Sequence, residues 1–119
     1  MEYFGPDEFK CKCGCGFDVN QELKEKADKA REIAGIPFSV SSGARCPTHN
    51  KKEKGAPDSK HLSGEAMDIR CTNSVNRYKI VRALILAGFT GIDCSHDTYV
   101  HGDIGHTPAM IFNYRGNLK

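Results

Sequence analysis

SKHLSGEAMDIR, residues 59–70, carries two metal-ligating side chains seven positions apart, His61 and Asp68, with the small residues Gly64 and Ala66 between them. Its second half, EAMDIR, has the two-residue period of a strand: Ala66 and Asp68 face one way, Met67 and Ile69 the other. Strands disfavour aspartate, and a buried carboxylate needs a partner, so Asp68 calls for an explanation that a lone histidine would not. A metal ion supplies one. A catalytic zinc takes three protein ligands and leaves its fourth position to water. His61 precedes the strand and Asp68 lies on it, so the third ligand must come from elsewhere in the chain. His101 is the natural candidate, because TYVHGDI, residues 98–104, reads as a strand able to pair beside EAMDIR. Gly64 lets the chain bend between His61 and the strand, and Ala66 leaves space for an ion held by Asp68.

The flanking sequence supplies the rest of a small α+β domain. Asn20 can cap a helix to about Ala34, with Leu23, Ala27, Ala30 and Ile33 on one face and Gly35 as its stop. PFSVS, residues 37–41, reads as a short strand, residues 47–54 as a short polar helix opened by Pro47, and residues 55–60 as a loop. Asn73 or Ser74 can cap a second long helix to about Ala87, closed by Gly88, with Val75, Tyr78, Val81, Leu84 and Ile85 as its expected buried stripe. FTGIDC, TYVHGDI and PAMIFNY read as three further strands. The expected architecture is a small antiparallel sheet flanked by two longer helices on one side. It forms a single domain over residues 1–119, of which 1–18 are an irregular, cysteine-rich segment.

The totals exclude several classes. A chain of 119 residues holds one core, and 39% apolar with 27% charged residues is ordinary for a globular domain. A formal net charge of +2, with scattered basic residues, gives no basis for a nucleic-acid partner. The most apolar stretch, residues 80–89, is interrupted by Arg82 and too short to span a membrane. MEYFGPDEF lacks the basic-then-apolar layout of a signal peptide. The expectation is a monomer made in the cytoplasm, reaching its substrate after release or after loss of a leader preceding Met1. Cys11, Cys13 and Cys15 crowd the N-terminal segment, while Cys46, Cys71 and Cys94 are isolated and no CxxC pair occurs. A second metal site, disulfides and free thiols all remain open for them.

The residues Ser59, His61, Gly64, Ala66 and Asp68, spaced S-x-H-x-x-G-x-A-x-D, resemble the signature of the M15 zinc metallopeptidases. These are D-Ala-D-Ala carboxypeptidases and related peptidoglycan peptidases, whose fold is shared with the hedgehog signalling domain. SSGAR resembles the family's SGxR segment, with Ala44 in place of the usual aromatic before Arg45. VHGD resembles its H-x-D segment, and FKCKCGCGF the cysteine-rich start of some phage-borne members. The resemblance implies zinc held by His61, Asp68 and His101, with Arg45 contacting substrate. It also implies a base that accepts the proton of the attacking water. Several members carry an acidic residue three positions before the last histidine ligand; here that position is Thr98. Asp97, His96 and Asp103 are the candidates for proton transfer, with Asp97 or His96 preferred. Asp103 has a competing role as the residue that orients His101. His49 and His106 match nothing in the signature and are expected at the surface.

The implied function is hydrolysis of peptidoglycan stem peptides, carboxypeptidase-like at D-Ala-D-Ala. The alternatives are an L-Ala-D-Glu endopeptidase of the phage endolysin type and a zinc-containing, non-catalytic hedgehog-like binding module. A zinc ribbon built on CKCGC is disfavoured by the missing CxxC pairs.

Overall fold

The computed structural model of the chain describes residues 3–55 and 58–113. Helix α1, Gln21–Ala34, starts where the Asn20 side chain accepts a hydrogen bond from the Leu23 N–H at 2.9 Å, and ends at Gly35. Strand β1 is Val40–Ser42, three residues later than PFSVS begins, and helix α2 is Pro47–Lys52. Strand β2, Ala66–Arg70, coincides with the EAMDIR reading, and helix α3, Ser74–Ala87, is capped by Asn73 and closed by Gly88. Strands β3, Gly91–Asp93, β4, Tyr99–Asp103, and β5, Met110–Ile111, are the remaining elements among the described residues. The last expected strand reaches Tyr114, which lies outside the described residues, as do residues 56–57 of the expected loop.

The five strands form one sheet in the order β1-β2-β4-β3-β5. The β1–β2, β2–β4 and β3–β4 pairs are antiparallel, but β3 and β5 are parallel. The sheet is therefore mixed rather than wholly antiparallel. The reason is topological: β4 already has β2 and β3 on its two edges. The chain leaving β4 must reach the free edge of β3, and on turning back it runs in the direction of β3.

Alternation along the strands gives the sheet two unlike faces. Met67 and Ile69 of β2, Ile92 of β3 and Val100 of β4 point into a core shared with Leu23, Ala27 and Ala30 of α1 and with Ile80, Ala83 and Leu84 of α3. Phe4 and Phe9 extend this core from the irregular N-terminal segment, their ring centroids 4.9 Å apart. The buried stripe of α3 is Ile80, Ala83, Leu84 and Ala87. Of the expected stripe, Leu84 is fully buried and Val81 packs at the core's margin. Val75, Tyr78 and Ile85 are 66%, 71% and 52% exposed. The helix is apolar around most of its circumference from Ile80 onward, so periodicity alone does not fix its inward side. Small side chains decide it: Ala83 and Ala87 suit close packing beside Ala27 and Ala30 of α1. No helix among the described residues is long and apolar enough to cross a membrane.

Candidate active site

The other face of the sheet is polar, and its residues lie in rows set by the strand register. Ser42, Asp68, His101 and Asp93 are aligned across β1, β2, β4 and β3. Ala66, Asp103 and Gly91 form the next row. His61 joins from the turn before β2. That turn closes through Gly64, whose φ of 73° is readily available only to glycine, and a side chain there would also press on the backbone of Asp18 and Val19. Ser59 is buried, and its Oγ accepts a hydrogen bond from the His61 N–H at 3.2 Å.

His61, Asp68 and His101 converge. Each offers one ligand atom, all three atoms lie within 4.8 Å of one another, and all three residues are buried. His61 Nε2 stands 3.2 Å from Asp68 Oδ1, and His101 Nδ1 stands 3.0 Å from the same oxygen. The remaining ring nitrogens face away and are held: His61 Nδ1–H donates to the Gly43 carbonyl at 2.6 Å, and His101 Nε2–H donates to Asp103 Oδ2 at 2.9 Å. Such partners fix the tautomer and aim the free nitrogen at a metal. Two imidazoles and a carboxylate sharing one focus fit a divalent ion such as zinc.

The electrostatics of these side chains agree. Burial opposes the charge on Asp68, but hydrogen bonds with His101 and His61 outweigh it and hold the carboxyl well below its ordinary range. Burial likewise opposes a charged His101, yet hydrogen bonds with Asp103 and Asp68 push the ring up to about 9. A proton on His101 Nδ1 thus sits where an ion would bind.

Asp103 is fully buried behind His101. Its Oδ2 accepts from His101, and its Oδ1 accepts from His106 Nδ1–H at 2.6 Å and from the Gly105 N–H at 3.1 Å. Burial raises its pKa, but the hydrogen bonds from His101 and His106 prevail and lower it. Both oxygens are committed to positioning, which leaves Asp103 poorly placed to take a proton from substrate water. His106 is not the free surface residue expected from sequence. It is half-buried, stacked on Phe112 with centroids 4.7 Å apart, and continues the line Asp68–His101–Asp103–His106. Gly91 makes room for this line: a Cβ there would collide with His106 Nδ1 and both Asp103 oxygens. Ala66 lies directly across from Asp103 in the register, so its small side chain belongs to this row.

A cleft of about 350 Å³ opens over the three converging residues and is also lined by Arg45, Ser59, His96 and Tyr99. Arg45 is half-buried. Its guanidinium reaches Asp68 Oδ2 at 3.4 Å, Ser42 Oγ at 3.1 Å and Asn50 Oδ1 at 3.3 Å. His96 Nε2 lies 3.0 Å from Oδ2 of the fully buried Asp93, and its ring stacks on Tyr99 at 4.3 Å. Asp97 is exposed and lines a neighbouring groove with Asn73, Arg77 and Ser95 instead. Of the two preferred proton carriers, His96 faces the cleft and Asp97 does not. Asp93 and Tyr99 were missed in the sequence, though Asp93 stands three positions before His96 in a strand reading, the same anomaly that exposed Asp68.

A search of curated proteins returned no match. A family model described as Peptidase M15 matches residues 2–103, a span that takes in the SGxR segment, the ten-residue signature and VHGD. With a metallopeptidase-type donor set at its focus and more than half its length matched, the chain belongs to the M15 peptidase family.

Proposed function

We propose that the protein is a zinc-dependent peptidase that hydrolyses peptidoglycan stem peptides, removing the terminal D-alanine in the manner of a D-Ala-D-Ala carboxypeptidase. The observation that carries this reading is the convergence of His61 Nε2, Asp68 Oδ1 and His101 Nδ1 beneath an open cleft that is also lined by Arg45 and His96. An ion held there would supply Lewis acidity, polarising the scissile carbonyl and bringing the pKa of water toward neutrality.

The remaining work falls to the chain's own side chains. His96 is the proton carrier. With Nε2–H donated to Asp93, its Nδ1 keeps the lone pair that accepts a proton from the attacking water and returns it to the leaving amine. Asp93 fixes that tautomer, and Tyr99 holds the ring plane. Arg45 offers a fixed positive charge to the terminal carboxylate of a stem peptide, or to the oxyanion as it develops. Its anchors on Ser42, Asn50 and Asp68 keep that charge in place before substrate arrives.

The test is mass analysis of the products from purified peptidoglycan and a synthetic stem pentapeptide, with wild type, His61→Ala and chelated enzyme side by side. Free D-alanine, lost in both controls, is the expected outcome. An internal cut would replace the carboxypeptidase reading with an endopeptidase one. Bound metal with neither product would leave a non-catalytic binding module.

A further inference from the structure

Four of the six cysteines meet on the loops beside the cleft. Cys11, Cys13 and Cys15 come from one tight N-terminal turn, and Cys46 immediately precedes α2. Their four sulfurs all lie within 4.8 Å of one another. Cys11 and Cys13 stand 3.3 Å apart, and Cys13 and Cys46 stand 3.5 Å apart. Sulfurs at the corners of a tetrahedron around an ion, with bonds of about 2.3 Å, stand roughly 3.8 Å apart. A disulfide would require roughly 2.05 Å, and all four cysteines are free.

The backbone already serves these sulfurs. The Cys46 N–H points at Cys11 Sγ at 3.4 Å, and the His49 N–H points at Cys46 Sγ at 3.4 Å. Amide donors of this kind stabilise thiolate charge, which four clustered sulfurs acquire on binding a cation. The turn itself is held by Cys11 N–H to the Phe17 carbonyl at 2.7 Å and Gly14 N–H to the Cys11 carbonyl at 3.2 Å. An all-sulfur, four-donor site selects a thiophilic, tetrahedral ion over the hard cations that prefer oxygen.

We propose that Cys11, Cys13, Cys15 and Cys46 bind a zinc ion of their own, closed to substrate and separate from the His61–Asp68–His101 focus. Its role is positional. Cys46 follows Arg45 directly, and the Ala44 N–H donates to the Phe9 carbonyl at 2.8 Å, so the ion closes a brace between the N-terminal turn and residues 43–46. Those residues supply the Gly43 carbonyl that fixes His61 and the guanidinium that rests on Asp68. Cys13 and Cys15 are exposed, so the ion would load from solution and serine would fit in either place.

The experiment is elemental analysis of the full chain after zinc loading and desalting, together with an intact-mass count of free thiols. Two zinc ions per wild-type chain are expected, falling to one in Cys13→Ser/Cys15→Ser and to one in His61→Ala, with Cys94→Ser retaining two. Cobalt loaded into His61→Ala should show thiolate-to-cobalt charge-transfer absorption in the near ultraviolet, which keeps the test decisive if the double variant fails to fold. A single ion in wild type that disappears in His61→Ala would overturn the proposal. So would a cobalt spectrum without thiolate bands, or a mass lower by the hydrogens of a disulfide among these four cysteines. None of these readouts depends on which peptide bond the cleft attacks.

Discussion

The two faces of the sheet are built from the same strands and do opposite work. On β2, Met67 and Ile69 are sealed against α1 and α3, while Ala66 and Asp68 face the cleft side. On β4, Val100 is core and His101 and Asp103 are site. One face holds by apolar contact without direction; the other holds by directed hydrogen bonds among Asp68, His101, Asp103 and His106. No buried side-chain nitrogen or oxygen among the described residues lacks a partner. Substitutions on the two faces should therefore fail differently, one in stability and the other in function.

The largest effect should come from Asp68→Asn. It keeps the shape but removes the charge shared by His61, His101 and Arg45, and hydrolysis should drop by about three orders of magnitude, equivalent to several kcal/mol at the transition state. Its neighbour Met67 offers the opposite case. Met67→Ala should cost about 2–5 kcal/mol in denaturant unfolding while the folded fraction keeps its metal content and turnover. If Met67→Ala lost metal as readily as Asp68→Asn, the division between faces would collapse.

Next comes the line behind the three converging residues. Asp103→Asn should weaken metal affinity by about 10- to 100-fold, measured by competition with a chromophoric chelator, because an amide cannot accept from both His101 and His106. A subtler check is proton release. Below about pH 9 the metal-free His101 ring is protonated, so binding an ion near neutrality should release roughly one proton from it, and this release should fade as pH rises through 9. The same shift gives a sign for stability. A raised His101 pKa stabilises the metal-free fold fully below its ordinary value of 6.5, and that contribution is lost as pH climbs through about 9. Asp68, held low, acts oppositely: its contribution is present above 3.8 and lost in strong acid. Chelated protein should accordingly show a denaturant midpoint that falls toward both extremes, with His101→Gln flattening the alkaline limb. The smallest effect belongs to Tyr78→Ser on the outer side of α3, within about 0.5 kcal/mol of wild type.

Local chemistry made much of this legible in the sequence. Asn20 and Gly35 bound α1 because a cap needs only its own neighbours. EAMDIR announced β2 through its period, and a charged residue inside that period pointed to the site. The position of His101 followed from requiring a third donor on a pairable strand. What stayed hidden depends on distant partners. The inward side of α3 was ambiguous because apolar residues surround it, and α1 decides it with alanines. The parallel β5 follows from the occupied edges of β4, which no stretch of sequence states. His106 looked like a turn residue until Asp103 was seen to have a second oxygen to satisfy. Asp97 and His96 are adjacent in sequence, yet only the fold tells which of them enters the cleft.

The direct pairing of Asp68 with His101 has a consequence for how these genes can change. Alternation has a period of two, so slipping β2 against β4 by a single position would bring the aspartate opposite a core valine or a glycine and turn Asp68 and His101 away from each other. Individual strand residues can therefore drift, within the limits of each face, while insertions and deletions inside either strand are closed off. Length variation among relatives should collect in the connections, and the spacing from residue 66 to 70 and from 99 to 103 should stay constant even where little else does.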